Sequence, residues 1–263
     1  MKLPIYIVDA FTNTQFKGNS AAVVLLDTWL DDGVMQSIAI ENNLSETAFI
    51  SIKGHNAYDI RWFSPITEID FCGHATLAAS FVLFEYYQVT GEIQFSTDKV
   101  GDLFISRQPT GFIEMKFPNQ EPEPVLDIPS ELLAGLSKKP IEVLKNRQAY
   151  FAIFETEEDV TSLQYESEAL KSLAPLDVVV TATGDKYDFV SRYFWPANGG
   201  DEDPVTGSIH SGLTPYWSKK LNKTELKAYQ ASFRGGELFC SIVGEQILVS
   251  GQAVVYLTGT IDI

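Results

Sequence analysis

The chain has 263 residues, 45% of them hydrophobic, which is enough to core one large domain or two ordinary ones. A formal net charge of -16 argues against a nucleic-acid or anionic-membrane surface, since either partner would repel it. The two cysteines, Cys72 and Cys240, lie far apart and suit free thiols in a reducing cytosol, and the opening run with Pro4 and Asp9 lacks an export-signal pattern, so a cytoplasmic protein is expected.

Ile5 to Val8 read as a first strand and Ala21 to Leu26 as a second, joined by a polar loop with a turn signal at Gly18-Asn19. A helix begins at Leu30-Asp31-Asp32, carries Met35, Ile38 and Ala39 at helical spacing, and ends at Asn43-Leu44-Ser45. Ser45 to Ile52 is the next strand, with Glu46, Ala48, Ile50 and Ile52 on one face. A carboxylate in that pattern has two readings. It sits at the strand's solvent end, or it is shut in with the apolar residues, where loss of water fits a carboxyl for general acid or base work.

After a strand at Tyr58 to Phe63, Phe71-Cys72-Gly73-His74-Ala75-Thr76 enters Leu77 to Tyr87, a stretch with almost no polar face and no Pro or Gly. This pattern predicts a central helix buried on all sides, with Gly91 as its stop. The first turn of such a helix holds orphan N–H groups and a dipole that favours an anion, so Gly73 and His74 either receive a substrate carboxylate or merely turn and cap the chain. Strands at Ile93 to Thr97, Gly101 to Ser106 and Phe112 to Phe117 follow. Residues 118–124 then read as a linker, dividing the chain into halves at 1–117 and 125–263.

In the second half Ser130 is expected to cap a short helix, strands at Ile141 to Leu144 and Gln148 to Phe154 precede a helix over Ser162 to Ala174, and strands at Val178 to Ala182 and Tyr187 to Phe194 lead into a glycine-rich acidic loop, 198–208. A meander from Lys227 to Val249 and a last strand at Ala253 to Leu257 close the chain, the last strand being free to pair back with the N-terminal half. Arg61-Trp62-Phe63-Ser64-Pro65 ahead of the Gly73-His74 helix start is matched by Arg192-Tyr193-Phe194-Trp195-Pro196 ahead of Thr206-Gly207-Ser208-Ile209-His210. Two readings fit: chance likeness of two strand-loop-helix units, or an internal duplication with one anion-binding helix start from each half lining a cleft.

Four motifs in order, Phe-x-Gly-Asn-x-Ala-Ala-Val (16–23), Asn-Leu-Ser-Glu-Thr-Ala-Phe (43–49), Cys-Gly-His-Ala-Thr (72–76) and Glu-Asp-Pro-Val-Thr-Gly-Ser-x-His (202–210), resemble the PhzF-like, phenazine-biosynthesis isomerase family. The resemblance implies the diaminopimelate epimerase-like fold, an α/β architecture of two similar halves, each a curled and mostly antiparallel sheet around a central helix. It further implies a cofactor-independent isomerase that moves a carbon-bound proton on a small carboxylate or amino-acid-like substrate. Glu46 matches the family's acid/base glutamate, and His74, Asp203 and Ser208 match residues that line the site and hold or relay the proton. The backbone at Gly73 and Gly207 is expected to bind the substrate carboxylate, with Asn19 joining the substrate-binding set. A homodimer without metal or organic cofactor is implied as well. Ser20 stands where the family pattern commonly has Pro.

Related epimerases use two opposed cysteines, but residues 203–207 hold none, which disfavours a two-thiol racemase. A single-thiol epimerase using Cys72 with Asp203, and a non-catalytic small-molecule-binding dimer, are the alternatives. Cys72, His74 and His210 lack the count and spacing of a zinc site, Asp201-Glu202-Asp203 lacks the rest of a calcium loop, and Gly199-Gly200 completes no dinucleotide or phosphate fingerprint.

Overall fold

Strands arise where apolar residues alternate, and their pairing follows one plan twice. A computed structural model describes residues 1–263 and divides them into two units, Met1–Lys116 with Ser250–Ile263, and Phe117–Val249. The first unit starts with β1 (Lys2–Ala10), β2 (Asn19–Leu26), α1 (Asp32–Asn42), β3 (Glu46–Gly54), β4 (Ala57–Phe63), β5 (Glu68–Ile69) and α2 (Gly73–Tyr86), continues through β6 (Ile93–Ser96) and β7 (Leu103–Arg107), and reaches β8 (Ile113–Pro118). The second holds β9 (Glu123–Pro124), α3 (Ser130–Ala134), β10 (Glu142–Lys145), β11 (Ala149–Ile153), α4 (Glu157–Thr161) and α5 (Ser167–Lys171). It goes on with β12 (Asp177–Thr183), β13 (Phe189–Phe194), β14 (Glu202–Asp203), α6 (His210–Leu221), β15 (Glu225–Gln230), β16 (Gly236–Val243) and β17 (Gln246–Gly251). β18 (Ala253–Asp262) then pairs antiparallel with β1 along its whole length. No helix is long and apolar enough to cross a membrane.

In the first unit β1–β2 is antiparallel, β2–β3 parallel, β3–β4 and β4–β5 antiparallel, β4–β6 parallel and β6–β7 antiparallel. The second repeats this sequence of pairings with β10 through β16. The registers coincide too: Phe63 faces Thr47 and Glu68, and Phe194 faces Val178 and Glu202. Even the side chains repeat. Arg61 forks onto both carboxylate oxygens of Glu68 at 2.7 Å and lies 5.2 Å over the Phe63 ring, while Arg192 forks onto Glu202 at 2.8 and 3.0 Å and lies 5.1 Å over Phe194. The duplication read from the Arg-aromatic-Phe pattern is therefore a duplication of fold.

Each sheet of the repeat has two faces with different covers. In the first unit Ala22, Val24, Phe49 and Phe63 pack with Met35, Ile38 and Ala39 of α1. The alternate residues Ala21, Val23, Ala48 and Ile50 are left for α2, which packs on β1, β2 and β3 and is buried from Gly73 to Ser80. In the second unit Leu132, Val160 and Leu170 of the three short helices cover one face of β11 and β12. α6 packs on β15 and β16, and Gly212 lets it approach β11, because a Cβ there would stand 2.6 Å from the Phe151 ring. Pro215 lies inside α6 without orphaning a carbonyl, since the Ser211 oxygen it cannot serve accepts from Gln120 N–H at 3.1 Å.

Several boundaries differ from the sequence reading. α2 ends at Tyr86 rather than running to Gly91, because Gln88 turns left-handed (φ 53) and Val89 N–H closes onto Leu83 O at 3.2 Å. Of the helix expected over 162–174 only α5, Ser167–Lys171, falls within those bounds, while α4, begun at Glu157 by a Thr156/Asp159 capping box, ends at Thr161, ahead of them. Ser130 is the first residue of α3, with Pro129 in the cap position. Within the stretch read as a linker, Glu123 and Pro124 pair with β10. Ile52, placed on the buried face with Glu46, is 57% exposed, because β3 runs past the helix that covers its start.

Candidate active site

β3 opens with Glu46 beside Ala21 of β2, and its side chain points to the face that α2 covers. His74, the second residue of α2, meets it there: Glu46 Oε2 and His74 Nε2 are 3.0 Å apart, and Glu46 is only 5% exposed. The contact has the length of an ion pair but not the direction of an N–H···O hydrogen bond, so Oε2 is shielded from solvent and accepts from no donor. A buried carboxylate oxygen without a donor is costly to the fold and available to a proton.

Asn19 opens β2 and presents Nδ2 3.0 Å from His74 Nδ1. Cys72, extended in the cap position ahead of α2, has its sulfur 3.4 Å from Nδ1 and 3.8 Å from Nε2. Burial, with the Glu46 charge next, pushes the Cys72 thiol up to about 11, so it stays a thiol at neutral pH. For His74 burial works against the charged form, but the Cys72 sulfur and the Glu46 carboxylate outweigh it and the imidazole holds its proton well above the ordinary range.

One ligand atom each from Glu46, Cys72 and His74 lies within 4.8 Å of the others, a grouping the sequence did not suggest. The fit to a metal is poor. Both ring nitrogens of His74 already face partners, Asn19 Nδ2 at Nδ1 and Glu46 Oε2 at Nε2, each at 3.0 Å, so neither presents a free lone pair to an ion.

The second unit holds the remaining expected residues. Asp203, on β14, accepts from the Thr206 hydroxyl, while Gln230 spans the loop by accepting from Thr206 N–H at 2.9 Å and donating to the Asp203 carbonyl at 2.8 Å. Ser208, just before α6, accepts from Gln148 Nε2 at 2.9 Å. The same nitrogen lies 3.1 Å from Tyr193 Oη, which donates to Asp177 Oδ2 at 2.5 Å, and Asn198 caps the other Asp177 oxygen at 2.7 Å. Burial, then the Asp177 charge, holds the Tyr193 phenol far above its usual range, so it keeps its proton and acts as the donor. With Oγ accepting from Gln148, the Ser208 hydrogen is left to donate elsewhere. His210 Nδ1 lies 2.9 Å from Thr206 O, which makes Nδ1 the hydrogen-bearing nitrogen, and its Nε2 is buried without a partner.

Thus Glu46, His74 and Asn19 form one buried group with Gly73 beside them in the chain, and Asp203, Gly207 and Ser208 lie along one loop of the other unit. Gln148, Tyr193, Asp177 and Gln230 are partners that the sequence analysis missed. Asp177 had a signal available only through register: Ala149 faces it as Ala21 faces Glu46, so it is the topological counterpart of Glu46 in the repeat.

A duplicated strand order, with an α-helix set against each copy, is the architecture of diaminopimelate epimerase-like proteins. A solved hydroxyproline epimerase from Agrobacterium vitis shares this fold at a TM-score of 0.62 and 9% identity, covering 99% of this chain and 92% of its own. The pattern that defines the phenazine biosynthesis-like proteins (PhzC-PhzF) matches residues 8–259, and the chain belongs to that family. An uncharacterized isomerase of Pseudomonas aeruginosa (PA3578) is 46% identical over 99% of each chain. A solved PhzF-family structure from Enterococcus faecalis superposes with a TM-score of 0.95 at 45% identity, covering all of both chains.

Proposed function

We propose that the protein is a cofactor-independent isomerase that moves a carbon-bound proton on a small carboxylate or amino-acid-like substrate, with Glu46 as the general acid/base. The observation that carries this reading is the shielded Glu46 Oε2, 3.0 Å from His74 Nε2 and without a hydrogen-bond donor. Such an oxygen can take a proton from carbon without first giving up a bond to solvent, and water exclusion keeps the proton from leaking away. The step balances simply: the C–H bond breaks, Glu46 becomes the carboxylic acid, and the electron pair spreads into the substrate's own unsaturation. Returning the proton to a different carbon completes the isomerisation. The His74 ring, with Nε2 3.0 Å away, supports the carboxylate form of Glu46 between these events, and the family resemblance assigns Gly73 in the first unit, and Gly207 and Ser208 in the second, to the substrate-binding set. Asp203 is assigned to holding or relaying the proton. The family resemblance further supports a homodimer, and the two free cysteines fit a reducing cytoplasm. Cys72, pushed up to about 11 by burial, is a poor base at neutral pH, which disfavours the single-thiol alternative.

The relatives named as isomerases support the reaction class. The test is incubation in deuterated water with a panel of unsaturated amino and hydroxy acids, reading deuterium on carbon by mass spectrometry. Glu46→Gln is expected to lower exchange by about two orders of magnitude or more. Ligands that bind without exchange, together with a Glu46→Gln variant that behaves like the wild type, would instead mark a binding protein that has kept the fold.

A further inference from the structure

Asn19 stands in a sequence position expected to touch substrate, yet it is fully buried, and its side chain meets His74. Its location is fixed from the backbone outward. Asn19 pairs with Ala10 at the first rung of β1–β2, and the turn into it uses Gly18 at φ +65, where a Cβ would stand 2.1 Å from the Ala10 carbonyl oxygen. The amide has little freedom beyond rotation about its last bond, with Oδ1 facing the Ser45 hydroxyl at 3.5 Å.

An imidazole exposes two nitrogens, and the neighbour of one decides what the other can do. Here the titratable groups beside the ring are Glu46, from β3, at Nε2, and Cys72, ahead of α2, 3.4 Å from Nδ1 and 3.8 Å from Nε2. Nδ1 is the nitrogen that faces Asn19. An amide suits that position because it can present N–H to a bare Nδ1 or, after a half-turn, C=O to a protonated one, so the ring gains or loses charge without stranding a buried polar group. We infer that Asn19 is a positioning residue, which holds the His74 ring through Nδ1 so that Nε2 is the hydrogen-bearing nitrogen turned toward Glu46. The catalytic use of that placement rests on the isomerase reading, whereas the placement of the ring does not.

The chain has three histidines, so protein labelled with nitrogen-15 in histidine gives spectra that His→Gln variants can assign. Two-bond proton–nitrogen spectra recorded from about pH 5 to about pH 9 are expected to show His74 keeping hydrogen on Nε2 throughout. His210 is an internal reference of the opposite kind, since its Nδ1 is the hydrogen-bearing nitrogen. Asn19→Asp offers Nδ1 an acceptor alone, and His74 should then stay charged to a pH at least about one unit higher. Asn19→Leu removes the partner, and the two His74 nitrogens should become mixed in character. Where substrate is in hand, Asn19→Asp should lower kcat about tenfold with little change in KM, as suits a residue acting through another.

A wild-type spectrum with hydrogen on Nδ1 and a bare Nε2 overturns the inference without any variant. So do variants that leave the His74 signals unmoved and raise KM alone, which is the behaviour of a substrate contact. If the spectra follow expectation while no acid exchanges deuterium, Asn19 keeps its role and the isomerase reading falls; exchange with unmoved His74 signals does the reverse.

Discussion

Arg192 and Arg61 occupy the same place in the two repeats, and replacing each by Met should cost very different amounts. The Arg192 and Glu202 side chains are 11% and 18% exposed, and Arg192 Nη1 also donates to the carbonyls of Val160 at 3.3 Å and Leu163 at 2.7 Å, around the end of α4. Removing one member of a buried pair leaves the other charge uncompensated, at a cost of about 3–5 kcal/mol. Arg61 is 20% exposed, but Glu68 and Asp32 are 40% and 76% exposed, so water can solvate both carboxylates once the arginine is gone. The expected loss there is about 1 kcal/mol for the pairs, with about 0.5–1 kcal/mol more for the contacts over Trp29 and Phe63. Urea unfolding followed by far-UV circular dichroism reads the difference. Arg192→Met should lower the midpoint at least about one and a half times as far as Arg61→Met, and Glu202→Gln should resemble the former. Equal losses for the two arginine variants would refute the claim that burial, rather than fork geometry, sets the value of these pairs.

Burial holds His210 down at about 4 against its ordinary 6.5. The folded protein therefore refuses a proton that the unfolded chain accepts below pH 6.5, and stability present above that pH should fall by about 3 kcal/mol on acidification toward pH 4. His210→Asn, which can retain the bond to Thr206 O, should flatten this window relative to wild type, and parallel curves for the two proteins would contradict it. Gln148→Leu should raise KM for a carboxylate substrate about tenfold, with the double variant carrying Ser208→Ala no worse than Ser208→Ala alone; multiplying effects would show that Gln148 does not act through Ser208. At pH 8 about a thousandth of Cys72 should be thiolate, given its thiol at about 11, so iodoacetamide should label it slowly in the native protein, and rapid stoichiometric labelling would count against its burial.

Local pattern carried much of the fold. The strand period of Ser45 to Ile52 put Glu46 on the apolar face, and the structure shuts it in beside His74. The Arg-aromatic-Phe pattern exposed the repeat because its residues do the same physical job twice, forking onto Glu68 and Glu202. The Gln148–Tyr193–Asp177 chain was invisible because its members are 16 to 45 residues apart and come together only through strand register. Asn19 was legible as a turn residue but not as a partner of His74, since 55 residues separate them. The helix expected over 162–174 is shorter, Ser167–Lys171, and the start signal of this stretch, the capping box at Thr156 and Asp159, lies upstream of the expected bounds and opens a separate helix.

The pairing of β18 with β1 gives the first unit an unusual timetable during synthesis. Its opening strand leaves the ribosome first, but a neighbour that hydrogen-bonds to it from Lys2 through Ala10 is made only after the entire second unit. Until then one edge of the N-terminal sheet lacks that neighbour, whereas residues 117–249 are contiguous and have their partners within reach as soon as they emerge. The later unit by position is thus the earlier one able to finish.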